Sequence, residues 1–469
     1  MKRQVFCILV ALCILLALTA CQDTTTPTPD PVDPAPEVTE PEDPASAEKP
    51  DPEPEIDPNL SQRDREWIED IEYLRTEYKE RHMDPFYLVS EEEFDWKLDR
   101  IITQVSDLSD AGLYFEINAA IAGMGDVHTA AYVWPSLYDR CFPVRAHYFD
   151  GKLYLTGYLE GYEEFAPYLL REIVAVNGVD IAYINQKVDC LYGSFNRWMN
   201  QARFPSEYFV PAFFDWAGCD YTEGYTFQIL NENQEVESVE IPTITYEERL
   251  NGRSTSPENW DGVFYLKGGN WVEYYNGENG GYIYMSLEQL PIGSPSSMLP
   301  LAAAVSRQKE AHPECKKLVV DLRLCPGGDA SVITGFQDNI EMLQMEQVYV
   351  VTGGVTASAA TVFMSFFKEE LGAVIIGEPT GQFPLMFHLS SSSLEPAVLP
   401  NSQITIEISD DWYDPQEFHD WEPAAEAYYD EDGKLYPWEY AILPDVYVYQ
   451  DIEDIRQGKD SVLQWVSVQ

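Results

Sequence analysis

Residues 348–367 read VYVVTGGVTASAATVFMSFF, and the rest of the chain is interpreted outward from this stretch. The apolar, β-branched run at 348–351 is typical of a buried strand. The glycines of TGGVT at 352–356 mark a turn, and the small residues ASAA at 357–360 open a pattern that predicts a helix. The stretch therefore predicts a strand, a sharp turn and a helix, with Ser358 where the helix begins.

Ser358 has two interpretations at this point. A serine at such a turn holds its hydroxyl at the positive end of the helix dipole. Small neighbours leave room for a substrate backbone, and the amide of Ala359 can point at an oxyanion. Alternatively, Ser358 is only the N-cap of the helix, and the stretch taken alone favours that simpler interpretation.

The alternation of strand and helix extends over the C-terminal half of the chain. Short apolar runs predict further strands at 282–285, 318–322 and 374–376, and helical patterns lie between them. Strands and helices that alternate at this spacing predict a layered α/β core, which we place at residues 246–469.

Two other kinds of pattern precede this core. Apolar residues at three- and four-residue steps predict a helical domain at 60–135, in which Asp110 is the expected N-cap of one helix. Short β segments, one of which ends in the tight-turn pair Asn177-Gly178, predict a β-rich module at 136–245.

Three motifs occur in order within the core: DLRLCPGG at 321–328, TASA at 356–359 and IGEPT at 376–380. Together they resemble the motifs of tail-specific (C-terminal processing) proteases and of the tricorn core family of serine peptidases. The resemblance runs from about Asp64 to Leu463. It implies a ClpP/crotonase-like catalytic core, a PDZ-like β-rich module and a nucleophilic serine at Ser358. Leu-Cys stands where the family carries Gly-Asn in the first motif.

The resemblance also suggests the partners of the serine. The bacterial processing branch uses a lysine about 25 residues downstream, but no lysine lies between Lys368 and Lys434. The tricorn branch uses a histidine instead, and GDVHT at 125–129 resembles its Gly-Asp-x-His-Thr motif. His128 is therefore the candidate base, and Glu439 is the candidate for orienting it. A buried structural histidine is the alternative for His128.

The same family pattern assigns the remaining positions of the expected site. The amides of Ala359 and of Gly327 or Gly328 are expected to hold the oxyanion, and no metal or cofactor is expected. The implied substrate is a peptide or an unfolded protein. The altered first motif and the missing lysine keep a second hypothesis open, a catalytically inactive relative that binds peptides or apolar ligands.

The N-terminal pattern predicts an export signal. A basic start and an apolar run at 5–18 end in LTAC at 18–21, which resembles a lipobox and predicts lipidation of Cys21. An ordinary secretory signal with an incidental cysteine is the alternative. Residues 22–59 are rich in Pro, Thr, Asp and Glu and are expected to be a disordered tether. The folded part is therefore expected to be lipid-anchored at the cell membrane, on its extracytoplasmic side.

Charge and cysteine content narrow the function further. The net charge of −51 argues against binding to nucleic acid or to an anionic membrane surface. The acidity is interpreted as a solubility feature, with attraction to basic substrates as the alternative. Five cysteines remain after residue 21, without paired spacing, so neither a disulfide framework nor a zinc site is indicated. The sequence leaves the oligomeric state and the role of the aromatic, acidic insertion at 410–440 open.

Overall fold

A computed structural model describes residues 60–132, 134–193, 196–219, 224–257, 263–382, 386–389, 395–413 and 442–469. These residues fall within a single compact unit, Glu53–Gln469. The predicted signal peptide, Cys21, the tether and Glu439 lie outside the described residues. The domain boundaries at 135 and 245 stay predictions.

Most of the helices begin at a polar residue whose side chain accepts a backbone N–H. Ser61 and Asp64 form a capping box at the first helix. Ser109, not the expected Asp110, caps the third helix, because its hydroxyl accepts the Gly112 N–H while the Asp110 carboxylate binds Arg63 and the Trp67 indole. No helix in the described ranges is both long and apolar enough to cross a bilayer. The helices are α1 Gln62–Arg81, α2 Glu91–Thr103, α3 Asp110–Ala122, α4 Ile181–Asp189, α5 Arg197–Glu207, α6 Pro211–Trp216, α7 Tyr246–Asn251, α8 Leu299–Ala311, α9 Ile333–Glu341, α10 Ala359–Leu371, α11 Ile452–Arg456 and α12 Ser461–Ser467.

The strands of the first half of the chain form small antiparallel sheets. Their apolar residues share one hydrophobic core with α1 to α3. The expected Asn177-Gly178 turn is present, between the paired strands Ile173–Val176 and Val179–Asp180. These strands are β1 Ala130–Ala131, β2 Val144–Phe149, β3 Lys152–Leu159, β4 Ile173–Val176, β5 Val179–Asp180, β6 Tyr225–Leu230, β7 Val236–Ile241 and β8 Ser254–Thr255.

The second half of the chain forms a six-stranded sheet and short hairpins. The strands are β9 Trp271–Tyr275, β10 Tyr282–Ser286, β11 Lys317–Asp321, β12 Gln347–Thr352, β13 Val374–Gly377, β14 Met386–His388, β15 Ala397–Val398, β16 Thr405–Glu407, β17 Asp411–Tyr413 and β18 Val446–Tyr447. The order in the large sheet is β18-β13-β12-β11-β10-β9, and the sheet is parallel except for the antiparallel pairing of β9 with β10.

The large sheet is covered on both faces, as its continuous apolar strands require. Ile283 and Met285 of β10 pack in one core with residues of α8, α9 and α10. Tyr282 and Tyr284, which alternate with them along the strand, pack on the opposite face with α12. The predicted helix–sheet layering of this half is therefore present.

The topology brings several chain segments to one edge of the sheet. Parallel strands all end at the same edge, and ligand sites in α/β sheets form there. The segments that follow β11, β12 and β13 carry the three motifs found in the sequence. Strand β1, which follows the GDVHT segment, pairs with β16 in a separate sheet.

Candidate active site

Ser358 lies at the strained start of α10. Its backbone angles are φ 49° and ψ −132°, an uncommon conformation for a residue with a side chain. Its hydroxyl makes no capping hydrogen bond to the helix. The interpretation of Ser358 as a simple N-cap is therefore wrong, because the oxygen that would cap the helix points elsewhere.

Thr356 fixes the turn that presents this serine. Its hydroxyl donates to the carbonyl of Leu322 at 2.7 Å and accepts the Gly353 N–H at 3.1 Å. Its carbonyl accepts the Gly381 N–H at 2.8 Å. One buried threonine thus ties the turn after β12 to the segments that follow β11 and β13.

His128 is the partner of the Ser358 hydroxyl. Nε2 of His128 lies 3.2 Å from Oγ of Ser358, across 230 residues of sequence. The backbone N–H of His128 donates to Oδ1 of Asp126 at 2.9 Å, which fixes the loop between α3 and β1. The fold therefore places the predicted base and nucleophile within hydrogen-bond reach of each other.

A buried pair stabilises the histidine loop. Nδ1 of His82 accepts the Asp84 N–H at 3.1 Å, so its Nε2 carries the hydrogen that is donated to Oδ2 of Asp126, also at 3.1 Å. Burial opposes ionisation of Asp126, but the hydrogen bond from His82 and the nearby His128 lower its pKa to about 2. Sequence reasoning treated His82 only as a residue at a helix end, and nothing in its local pattern indicated this contact.

The protonation of His128 is controlled by its surroundings. Burial lowers the pKa of the imidazole below its ordinary value, and the Asp126 carboxylate partly offsets this effect. The backbone of Phe387 also raises the pKa of His128. Among the described residues, no atom meets the geometry of a hydrogen bond with Nδ1 of His128. A lowered pKa keeps Nε2 free to accept a proton at neutral pH.

Two glycines bring backbone amides next to Ser358. Gly327 has φ 116°, and a Cβ atom there would lie 2.8 Å from Cβ of Ser358 and 3.0 Å from the nitrogen of Ala359. Gly328 has φ 138° and would place a Cβ 2.1 Å from the carbonyl of Leu290. Only glycine fits at either position. Within the described ranges, the amides of Gly328 and Ala359 donate no backbone hydrogen bond, so donors remain next to Ser358.

Three buried charges anchor the loop that carries these glycines. Arg323 donates to the carboxylates of Asp321 and Asp460, with its Nη2 lying 2.8 Å from Oδ2 of Asp460. Tyr284 also donates to Asp321 at 2.7 Å. Asp321 and Arg323, the first and third residues of DLRLCPGG, thus have a structural role. The divergent Cys325 is buried, and its carbonyl accepts the Ala357 N–H at 3.3 Å.

Gln382 is a residue of the site that sequence reasoning missed. Its Oε1 accepts the backbone N–H of Ser358 at 2.8 Å, and only 3% of the residue is exposed. Thr380, two residues earlier, donates to the Gln382 carbonyl at 2.9 Å. The segment that follows β13 therefore holds the backbone of Ser358. The sequence offered one signal for this role. Gln382 lies 24 residues after Ser358, close to the position about 25 residues downstream that the family pattern marks as functional.

Two other residues of the motif region lie away from the serine. Lys368 points outward and pairs with Asp445 at 2.9 Å. Glu378 of the third motif lines a separate cavity of about 100 Å³ and does not line the cleft that contains Ser358. Burial raises the pKa of Glu378 to about 7.

Ser358 and His128 open into a cleft of about 990 Å³. One wall is formed by α5, another by β1 and β16, and a third by the loops that follow β10 and β11. Gln382 lies in the same cleft. Its size suits a peptide segment.

The described residues contain no group of three His, Cys, Asp or Glu side chains that could hold a metal ion. The five cysteines are free thiols; four are buried and Cys190 is exposed. Burial raises the pKa of Cys325 to about 11, so this thiol beside the glycine loop stays protonated.

Comparison with known proteins supports the fold. The sequence matches no family model and no curated protein. The structure of mature CPAF complexed with lactacystin is similar, with a TM-score of 0.54 and 12% identity over 87% of this chain and 98% of that chain. A second structure of mature CPAF has a TM-score of 0.53, with 12% identity over 87% of this chain and 97% of that chain. A photosystem II D1 C-terminal processing protease has a TM-score of 0.37, with 11% identity over 86% of this chain and 99% of that one.

At this level of identity, the likeness shows a shared fold. The two CPAF structures therefore support a mixed α/β fold with several sheets for this chain.

Proposed function

We propose that this chain is a serine peptidase in which Ser358 is the nucleophile and His128 is the general base. The observation that carries the proposal is the 3.2 Å separation of Ser358 Oγ and His128 Nε2. It lies at the limit of the range in which a base takes a proton from a hydroxyl before substrate binds. The strained backbone at Ser358 and the amides left without partners nearby support the same assignment.

The geometry suggests how the residues divide the reaction. Ser358 Oγ attacks the peptide carbonyl carbon as His128 Nε2 takes the hydroxyl proton, and the carbonyl oxygen becomes an oxyanion. The amides of Ala359 and of Gly327 or Gly328 stabilise this oxyanion. The C–N bond then breaks as His128 returns the proton to the leaving amine. Water, activated by His128, hydrolyses the acyl-enzyme and regenerates Ser358.

The finer features of the fold and location belong to the same proposal. The helices α1 to α3 correspond to the helical domain, the sheet of β4 to β7 to the PDZ-like module and the six-stranded sheet to the ClpP/crotonase-like core. We further propose that Cys21 is lipidated and holds the enzyme at the outer face of the cell membrane. Glu439 remains our proposal for the carboxylate that orients His128.

Peptide hydrolysis by single and double variants tests the assignment. Ser358→Ala, His128→Ala and the double variant should lose similar amounts of activity, on the order of several powers of ten, because the two residues act as one unit. Lys368→Met, which removes a lysine on the outer side of α10, should keep activity. Activity that survives in His128→Ala and is lost in Lys368→Met would contradict the assignment.

A binding protein without activity is the second candidate. It is favoured by the first motif, where Leu324-Cys325 replaces the expected pair. If folded protein cuts no peptide and yet binds peptides equally well with and without the Ser358 hydroxyl, this second function replaces the first.

A further inference from the structure

The cleft that contains Ser358 is lined by more negative than positive side chains. Apart from His128, the described residues that line the cleft include one cation, Arg203, and the carboxylates of Glu207, Glu288 and Glu407. Nε of Arg203 lies 2.8 Å from Oε1 of Glu207, so these two charges cancel. Burial lowers the pKa of His128 and keeps its ring uncharged at neutral pH. Two negative charges therefore remain.

Both remaining carboxylates bind neutral groups. Glu288 accepts the Gly269 N–H at 2.5 Å, and Glu407 accepts the hydroxyl of Tyr132. Neither forms an ion pair within the described part of the chain. Because each has two oxygens with several acceptor positions, each can still receive a cation from a ligand in the cleft.

The two carboxylates belong to different segments of the cleft wall. Glu407 pairs in register with Ala130, two residues after His128. Glu288 lies two residues before Leu290, whose N–H donates to the carbonyl of Gly327 at 2.9 Å. One carboxylate thus belongs to the histidine side of the cleft and the other to the side of the glycine loop. An extended peptide bound across the serine would pass both.

The segment between α4 and α5 adds a buried phenol to the lining of the cleft. Tyr192, of which 6% is exposed, lines the cleft, and its hydroxyl has no hydrogen-bond partner among the described residues. Burial, followed by the charge of Glu207, raises the pKa of this phenol well above its ordinary value. The phenol therefore stays protonated.

We propose that the cleft selects basic peptide segments, with Glu288 and Glu407 binding lysine or arginine side chains on the two sides of the scissile bond. This inference rests on the proposed peptidase function. The net charge of −51 acts in the same direction, because an acidic protein raises the local concentration of cationic chains. Substrate recognition thus gives the acidity a second role besides solubility.

Cleavage of a random peptide library tests the selection. Cut sites, mapped by mass spectrometry, should be enriched about threefold in Lys or Arg within three residues, since each exposed ion pair contributes a factor of roughly 1.5 to 5. The Glu288→Gln/Glu407→Gln variant should remove the enrichment while still cutting neutral sites. Glu310→Gln, which removes an exposed charge of α8 outside the cleft, is the matched control. Tyr132→Phe tests whether the hydrogen bond to Glu407, and not its charge, is responsible.

The outcomes separate this inference from the proposed function. If the wild type cuts peptides but its cut sites are not enriched in Lys or Arg, the inference alone is overturned. The same holds if Glu310→Gln or Tyr132→Phe loses this enrichment as fully as the double Gln variant. If the wild type cuts no peptide, the proposed peptidase function is wrong. Peptide binding then tests the inferred selection of basic segments. In that case, labelled octapeptides that differ only in Lys or Gln are titrated against Ser358→Ala protein. Tighter binding of the lysine peptide, weakened by the double Gln variant and by added salt, supports the selection; equal binding overturns it.

Discussion

Replacing Asp126 by Asn tests the buried His82–Asp126 pair in two ways, through the stability of the fold and through the pKa of His128. The amide oxygen can keep the hydrogen bond from the His128 N–H, but the new NH₂ group meets the Nε2–H of His82. One charge-assisted hydrogen bond is lost and a buried donor is left unpaired. The expected decrease in the free energy of unfolding is about 1.5–3 kcal/mol.

The same substitution should change the pH dependence of the serine in a defined direction. Asp126 raises the pKa of His128, so its removal moves that pKa further down. Nε2 accepts a proton only when the ring is neutral, so reactivity rises with pH through this pKa. In the parent, the rising limb should lie below the ordinary histidine value of about 6.5, and in Asp126→Asn it should lie at still lower pH.

The assay is the rate of Ser358 labelling by a fluorophosphonate across pH 4 to 9, together with the NMR titration of the His128 ring. The chain contains six histidines, so ring signals can be assigned by single substitutions. Asp70→Asn is the matched control, because Asp70 is equally buried and accepts the N–H groups of Asn401 and Ser402 at 2.8 Å, away from His128. Asp70→Asn should lower the free energy of unfolding without moving the rising limb of the pH profile for Ser358 labelling. The reasoning would be refuted if the rising limb of the pH profile stayed in place in Asp126→Asn. It would also be refuted if that limb moved equally in Asp126→Asn and Asp70→Asn.

Three further results are expected. Gln382→Met should slow fluorophosphonate labelling about tenfold at unchanged circular dichroism, because the amide of the nucleophile loses its buried acceptor; Gln382→Glu, which keeps an acceptor, should lose less. Arg323→Met leaves two buried carboxylates without their counter-charge and should lower the free energy of unfolding in urea by about 3–5 kcal/mol, whereas Arg307→Met, on the exposed side of α8, should lower it by less than about 0.5 kcal/mol. Cys21→Ala should move the protein from the membrane to the soluble fraction, and an unchanged distribution would contradict lipidation.

The sequence predicted the parts of this molecule that follow from local patterns. Continuous apolar runs identified β10 to β13, and the glycine turn identified the start of α10 at Ser358. The pairing of His128 with that serine came from the family resemblance, because no local signal joins two residues 230 positions apart.

The parts that sequence reasoning missed are contacts made by tertiary packing. His82 and Asp126 belong to different segments and meet only because α1 packs beside the loop after α3. Gln382 acts through one carbonyl that accepts a backbone N–H, and any residue with a suitable oxygen could occupy that position. The cap at α3 was misplaced by one residue, since Ser109 and Asp110 are both good caps and tertiary contacts engaged the aspartate.

The most direct test of the account is to map which residue a fluorophosphonate modifies in the parent, in Ser358→Ala and in His128→Ala. The account predicts a single adduct on Ser358 in the parent, none in Ser358→Ala, and labelling at least a hundredfold slower in His128→Ala at pH 7.5, because a hydroxyl without its base is a poor nucleophile. An adduct on another serine, or labelling of Ser358 at the parental rate without His128, would contradict it.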